Sequence, residues 1–357
     1  MAIYPIALAT FLEASARGAL ALPPVFDRLI GDDDVSWRLL WMRRHEQVGL
    51  SYAFDVYHPT RGWALRPGLK TVAFGDKRLT SNSRGVRGAA EAGYFRVTGR
   101  PRLLAFGDSF TFGEEVSDGE TYVARLEHLL PGLEALNMGV HGYGHDQMLL
   151  YLREVGAPYR PDVVLLGFVD WDMQRNLLGF RDYAKPRFEL VGGDLVLRGT
   201  PVPRPEQVLA EERRRSRFVD LLRMAWARPR SRLAASEAIR RRLTTALLDA
   251  FHQEVDSIGA RLVIAYLPVE GELDPAAGET TRGESFLLEY CAGRAVQCID
   301  VRPPLLAVQR RGVHLKKTGH WNRRIHDLAA RALASELAAP MGLGQVPQRE
   351  DFEVERP

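Results

Sequence analysis

The sequence predicts an α/β fold: a doubly wound parallel sheet of five strands, preceded by an N-terminal extension. Three observations lead there. From about residue 100 onward, short aliphatic or β-branched runs alternate with segments of helical period. The central runs are apolar throughout, as strands covered on both faces must be. Each run also gives way to a glycine-rich or polar stretch, where an open parallel sheet carries its ligand loops.

RLLAFGDS (102–109) reads as the first strand and closes in a Gly-Asp-Ser turn. TYVARLEHLL (121–130) follows as a helix, with Tyr122, Leu126 and Leu129/Leu130 at helical spacing until Pro131-Gly132 stops it. EALNMGV (134–140) is the second strand. A helix over 146–155, with Leu149 and Leu152 inward and Gly156 as its stop, leads to DVVLLGFV (162–169), a central third strand. A long amphipathic helix aligns Ile239, Leu243, Leu247, Phe251, Val255 and Ile258, ends at Gly259 and hands over to RLVIAYLP (261–268), the fourth strand. VQCIDV (296–301) is the fifth. The final helix carries Trp321, Ile325, Leu328, Ala332 and Leu337 before Pro340. Outside the sheet lie residues 1–100, helical and then strand-rich, and 177–235, where RFELVGGDLVL reads as a hairpin around Gly192-Gly193. The expected organisation is an extension over 1–100, an α/β domain over 101–340 with the insertion 177–235, and a polar tail over 341–357.

At 357 residues the chain has room for one to three domains, and 46% hydrophobic with 26% charged residues is ordinary globular composition. A net charge of +3 is too balanced for a whole-molecule nucleic-acid binder. Residues 211–243 hold eleven Arg against four acids and read as a solvated helical face. Cys291 and Cys298 lack any zinc spacing and are taken as core or free thiols. The apolar N-terminal stretch has no basic residue before it and is interrupted by Glu13 and Arg17, so a helix packed on the body is expected rather than a signal peptide or a membrane span. A cytoplasmic location follows, or an exported one if a leader has been removed.

Chemistry concentrates in the loops after the strands: GDSFTFGEEV (107–116), NMGVHGYGHDQ (137–147), DWDMQRN (170–176) and, before the last helix, KKTGHWNRRIH (316–326). Ser109 falls at a strand-to-helix turn, a nucleophile's position, where its own N–H points at a developing oxyanion. An N-cap serine is the bland alternative. Gly142 offers a second N–H, with Gly139 and Gly144 allowing close approach. The glycines run GxxGxG after the second strand and no GK[ST] occurs, so neither a dinucleotide nor a phosphate loop is present and no cofactor is expected. His320 is the natural base, because parallel strand order brings the last loop beside the first strand's edge. Asp108 reads as a turn-stabilising acceptor, and Asp172 as a possible structural partner of Arg175. HEQVG (45–49) departs from the HExxH zinc motif at its last residue, so no metal is expected.

GDSFTFG, NMGVHGYG and GHWNRRIH resemble the SGNH/GDSL hydrolase family, especially its bacterial branch with an N-terminal extension, over residues 50–340. TSNSRGVRG (80–88) and RDYAKPRFEL (181–190) also look like that branch. The resemblance implies a three-layer, flavodoxin-like fold and ester chemistry, with Ser109 as nucleophile, Gly142 as oxyanion donor and His320 as base. Two departures stand out. Where the family's third block supplies an oxyanion-hole Asn, this chain has Trp171, whose indole N–H is a substitute donor, and only Asp172 of the Asn-Asp pair remains. Losing such a donor costs roughly 3 kcal/mol of transition-state stabilisation. Where the family places an Asp before the His, this chain has Lys317 and Thr318, and replacing an orienting acid costs roughly 10⁴ in rate. Asp170, Asp172 or Glu270 are alternative orienters, a Ser-His dyad another solution, and His314 an alternative base.

The leading expectation is a serine esterase acting on a small ester, such as an O-acetyl group on a carbohydrate or other polar substrate. An O-acyltransferase using the same site, with a sugar hydroxyl replacing water, is a close variant. A non-catalytic binding module is the alternative from a different class. Neither a nucleic-acid partner nor a membrane span is expected.

Overall fold

Five strands form a single parallel sheet: β1 (Arg102–Phe106), β2 (Glu134–Asn137), β3 (Val163–Phe168), β4 (Arg261–Tyr266) and β5 (Gln297–Asp300). Their order is β5-β4-β3-β1-β2, the flavodoxin-like arrangement. This is a computed structural model that describes residues 3–48, 54–95, 99–231, 234–269, 271–274, 280–313, 315 and 319–343. Every residue of β1 and β3 is buried, which is why, Arg102 at the start of β1 apart, their sequences are apolar runs. Strand order reverses beside β1, with β2 on one flank and β3 on the other, so the crevice of the fold opens at the carboxyl end of β1.

The chain divides into two compact units, Met1–Arg66 with Gly142–Tyr151 and Trp171–Ala250, and Pro67–His141 with Leu152–Asp170 and Phe251–Pro357. The second holds the sheet. On one face, Leu103, Ala105, Val163, Leu165, Val263 and Ala265 pack into a core with Leu126, Ile325, Ala329 and Leu333. The helix Arg323–Leu337 is started by Asn322, whose side chain accepts from the Ile325 N–H at 3.1 Å. Trp321 closes over His326, ring centroids 5.5 Å apart, in the manner of a hydrophobic staple. At the opposite end of the strands, buried Arg102 bonds Glu134 at 2.7 Å and the Tyr159 carbonyl at 2.7 Å.

Two expectations need correction in this unit. The helix His145–Tyr159 does not stop at Gly156. A Cβ there would lie 2.8 Å from the Leu152 side chain and 3.1 Å from that of Ile258, so the glycine serves close packing instead. Cys291 and Cys298 are joined as a disulfide, with Cα atoms 6.1 Å apart. One lies in the last turn of the helix Arg282–Arg294 and the other on β5, so the tight helix-to-strand turn returns the chain within bridging distance.

The other unit draws on residues that the sequence reading assigns to the extension, the insertion and the domain between them. It contains the helices Ile3–Ala21, Asp34–Val48 and Arg217–Ser231 and, among the described residues, three antiparallel hairpins, one of them turning at Gly192-Gly193, both glycines at positive φ. Phe26, Leu39 and Met224 form a small core. The arginine-rich segment is not wholly a solvated face, because Arg217 is buried against Glu212 and Asp220 at 3.1 and 2.9 Å.

Candidate active site

β1 ends at Phe106, and after Gly107 the Asp108 carboxylate accepts from the Phe110 N–H at 2.9 Å, starting the single-turn helix Ser109–Phe112. Asp108 thus caps the turn, and its second oxygen lies 3.4 Å from Ser109 Oγ. Small residues hold this turn on the strand ends. A Cβ on Gly107 would meet Thr111 Oγ1 at 2.0 Å, and one on Gly139 would meet the Phe112 backbone nitrogen at 2.3 Å. Thr111 in turn hydrogen-bonds the Tyr122 hydroxyl at 2.9 Å, and Asn137 donates to the Thr111 carbonyl at 2.8 Å.

Gly113 ends the turn in the left-handed region, φ 85°, where L side chains are strained. The N–H groups of Gly113 and Glu114 both donate to the Ser109 carbonyl, at 2.8 and 3.1 Å, folding the chain back over the serine. Arg87 locks this reversal. It is buried, donates to the carbonyls of Phe112, Gly113 and Val116, and pairs with Asp118 at 3.1 Å.

His320 arrives from the loop before the last helix. Its Nε2 lies 2.8 Å from Ser109 Oγ and 3.2 Å from Glu114 Oε2. Its backbone N–H donates to Glu115 Oε1 at 3.3 Å. Phe110 braces the imidazole, ring centroids 5.2 Å apart, and also meets Trp321, which donates to the Pro268 carbonyl at 2.9 Å. The histidine in the first turn of the following helix has a different task. His326 Nδ1 accepts the Tyr122 N–H at 3.1 Å, and burial, with the charges of Arg87 and His320, lowers its pKa to about 3, so it stays neutral.

Of the residues singled out from sequence, the structure brings together Ser109, Asp108 and His320. Gly142, Trp171 and Asp172 belong to the other unit. There Gly142 has φ 75°, and a Cβ would meet Arg181 and Asp182 atoms at 2.5 Å. Trp171 is 40% exposed, and Asp172 is fully buried with its Oδ1 2.5 Å from Arg175 Nη1. Asp170 packs against Gly283, and its charge adds to the burial that raises Glu272. His314, Lys317, Thr318 and Glu270 lie outside the described residues. Among the described residues no carboxylate hydrogen-bonds His320 Nδ1, and no cluster of three His, Cys, Asp or Glu side chains is placed to hold a metal ion.

Glu114 is the residue that sequence reasoning missed. The signal was present in GDSFTFGEEV: a glycine closing a one-turn helix sends the next residues back toward its first, so an acid after Gly113 is bound to face Ser109.

No protein-family model matches the chain, and no curated protein matches it. Solved structures do. A G-D-S-L family lipolytic protein from Desulfitobacterium hafniense, described as putative, is 13% identical, with TM-score 0.39, over 66% of this chain and 98% of that one. A catalytic mutant of the acetylxylan esterase Axe2 from Geobacillus stearothermophilus is 14% identical, with TM-score 0.40, over 71% of this chain and all of the other. A G-D-S-L lipolytic family member from Veillonella parvula is 14% identical, with TM-score 0.38, over 65% and 94%.

Proposed function

We propose that this chain is a serine ester hydrolase of the SGNH type, in which Ser109 is the nucleophile and His320 the general base. The observation that carries the proposal is the 2.8 Å approach of His320 Nε2 to Ser109 Oγ, two groups 211 positions apart in the chain. Neutral Nε2 takes the hydroxyl proton as Oγ attacks the ester carbonyl. The tetrahedral oxyanion is met by the Ser109 N–H at the start of its helix. Collapse breaks the bond to the alcohol oxygen, which takes the proton back from imidazolium Nε2. Water then repeats the sequence in reverse on the acyl-serine and frees the acid.

Glu114 stands in for the family's missing Asp, though not at the same atom. It meets Nε2 rather than Nδ1, so it shares that edge of the ring with Ser109 and stabilises the imidazolium by charge. Orientation of the ring falls instead to Phe110 and to the backbone bond with Glu115. Two carboxylates at the site disfavour an anionic substrate, which suits a short acyl ester on an uncharged, polar carrier such as a carbohydrate. The test is turnover of a short-chain aryl ester. Ser109→Ala is expected to abolish it while leaving the thermal transition in place, and equal activity of wild type and variant would refute the assignment.

A further inference from the structure

The N-terminal helix Ile3–Ala21 is half packed and half bare. Its packed half is fixed to the helix Arg217–Ser231. Glu13 accepts from the Ser216 hydroxyl at 2.7 Å and from the N–H groups of Arg217 and Phe218 at 3.0 and 3.1 Å, and Arg17 donates to the Arg215 carbonyl at 3.1 Å. These contacts make the two helices antiparallel, so moving from Glu13 toward Tyr4 leads along the partner helix toward Leu222 and Trp226.

In the bare half every side chain from Tyr4 to Phe11 is exposed. Tyr4 is 86% exposed, Ile6 66%, Leu8 58% and Phe11 67%. The stretch carries no charge, and of its two hydroxyls, those of Tyr4 and Thr10, Thr10 Oγ1 is turned onto the helix's own Ile6 carbonyl at 3.0 Å. At about 3.6 residues per turn, Tyr4, Leu8 and Phe11 share one side while Ile6 lies opposite. A helix made for a protein groove shows a single apolar stripe. One that is apolar nearly all round, with its threonine hydroxyl satisfied internally, matches hydrocarbon, which is apolar on every side.

The neighbouring residues supply the charge. On the same face of the partner helix Leu222 and Trp226 are 54% and 68% exposed, with exposed Arg223 between them, and Arg213 and Arg214 are exposed in the preceding helix, Pro205–Arg214. Eight helical residues rise only about 12 Å, far short of the roughly 20 residues that a span requires. No single described helix is long and apolar enough to cross a membrane, and the chain bends by 95° into the helix Pro23–Leu29.

We propose that Tyr4–Phe11, flanked by Arg213, Arg214 and Arg223, docks the protein on the surface of an anionic lipid bilayer. The apolar turns enter the boundary between headgroups and acyl chains while the guanidinium groups meet lipid phosphates. This surface is independent of the ester chemistry and stands or falls without it.

Co-sedimentation of the full chain with vesicles tests it, using phosphatidylcholine alone and phosphatidylcholine mixed with an equal amount of phosphatidylglycerol. Binding to the mixed vesicles is expected, weakened by high salt and about tenfold weaker on phosphatidylcholine alone. Leu8→Glu/Phe11→Glu should abolish it with an unchanged thermal transition, since both side chains are exposed. Arg213→Glu/Arg223→Glu should weaken it by roughly fivefold per arginine or more. The proposal is overturned if the wild type stays in solution with the mixed vesicles, or if the double glutamate variant binds as well as it does. It is equally overturned if analytical ultracentrifugation shows a dimer that Leu8→Glu/Phe11→Glu splits, for then a second copy covers the helix.

Discussion

Glu114 Oε2 lies 3.2 Å from Nε2 of His320, the same ring nitrogen that meets Ser109. The carboxylate and the serine therefore share one ring nitrogen, which accepts the serine proton as base and faces the carboxylate once it carries that proton. Glu114 adds charge to the pair without fixing the ring's tautomer, the service a carboxylate at Nδ1 performs.

Because the Glu114 side chain is about a third exposed (32%), water screens its effect. Glu114→Gln is expected to lower kcat by about ten- to a hundredfold, well short of the roughly 10⁴ lost with a buried orienting acid. KM should hardly change, since the charge acts on the imidazolium of the transition state. Glu114→Asp should recover part of the loss. Steady-state kinetics on an aryl ester separate these outcomes, and a Gln variant with wild-type kcat would remove Glu114 from the mechanism.

Gly139→Ala would set a methyl group 2.3 Å from the Phe112 nitrogen and 2.7 Å from the Thr111 carbonyl carbon, both backbone atoms that cannot swing aside. A loss of about 1–3 kcal/mol in urea unfolding is expected, together with lower activity as the Ser109 turn shifts. Gly119→Ala, with nothing within 4 Å of its added carbon, is the control and should unfold like the wild type.

Arg87→Met leaves the buried carbonyls of Phe112, Gly113 and Val116 without their guanidinium donor. A destabilisation of about 3–5 kcal/mol is expected from denaturant titration. Arg87→Lys should rescue little, because one ammonium cannot reproduce a planar fork aimed at three carbonyls and Asp118. Full rescue by lysine would show that charge alone matters there.

These residues mark how far the chain could be read in advance. The strands were legible because β1 and β3 are covered on both faces and, Arg102 at the start of β1 apart, have no polar positions to confuse the pattern. Ser109 and His320 were legible because parallel strand order alone dictates which loops share a rim. Glu114 and Arg87 were not, since their roles follow from the left-handed bend at Gly113, a backbone event that no periodicity reports. The Cys291–Cys298 bridge was hidden for a similar reason, depending on how tightly the helix turns back into β5. Gly156 misled because a glycine that ends a helix and one that admits a neighbour look alike in sequence.

Stability should depend on pH from both sides. Burial, and then the bond with Glu284, raises the Asp300 carboxyl from its ordinary 3.8 to about 7. Folded Asp300 thus holds a proton the unfolded chain has released, and its contribution falls as pH rises from about 4 to 7 and is lowest above that. His326 works the other way. It is neutral when folded, so stability present above 6.5 is lost as the unfolded chain takes up a proton and pH falls toward 3. Between about pH 4 and 6.5 the two slopes oppose each other, so Asp300→Asn should unmask the His326 contribution and make thermal stability rise with pH more steeply than in the wild type; an unchanged slope would mean that Asp300 ionises freely in the fold.

Covalent capture of Ser109 reaches the central claim most directly. Incubated with a fluorophosphonate, the wild type should gain one phosphonyl group, located on Ser109 by peptide mass spectrometry, while Ser109→Ala gains none and His320→Ala reacts far more slowly. A wild-type protein that stays unmodified, or one labelled equally well after Ser109 is replaced, would contradict the account.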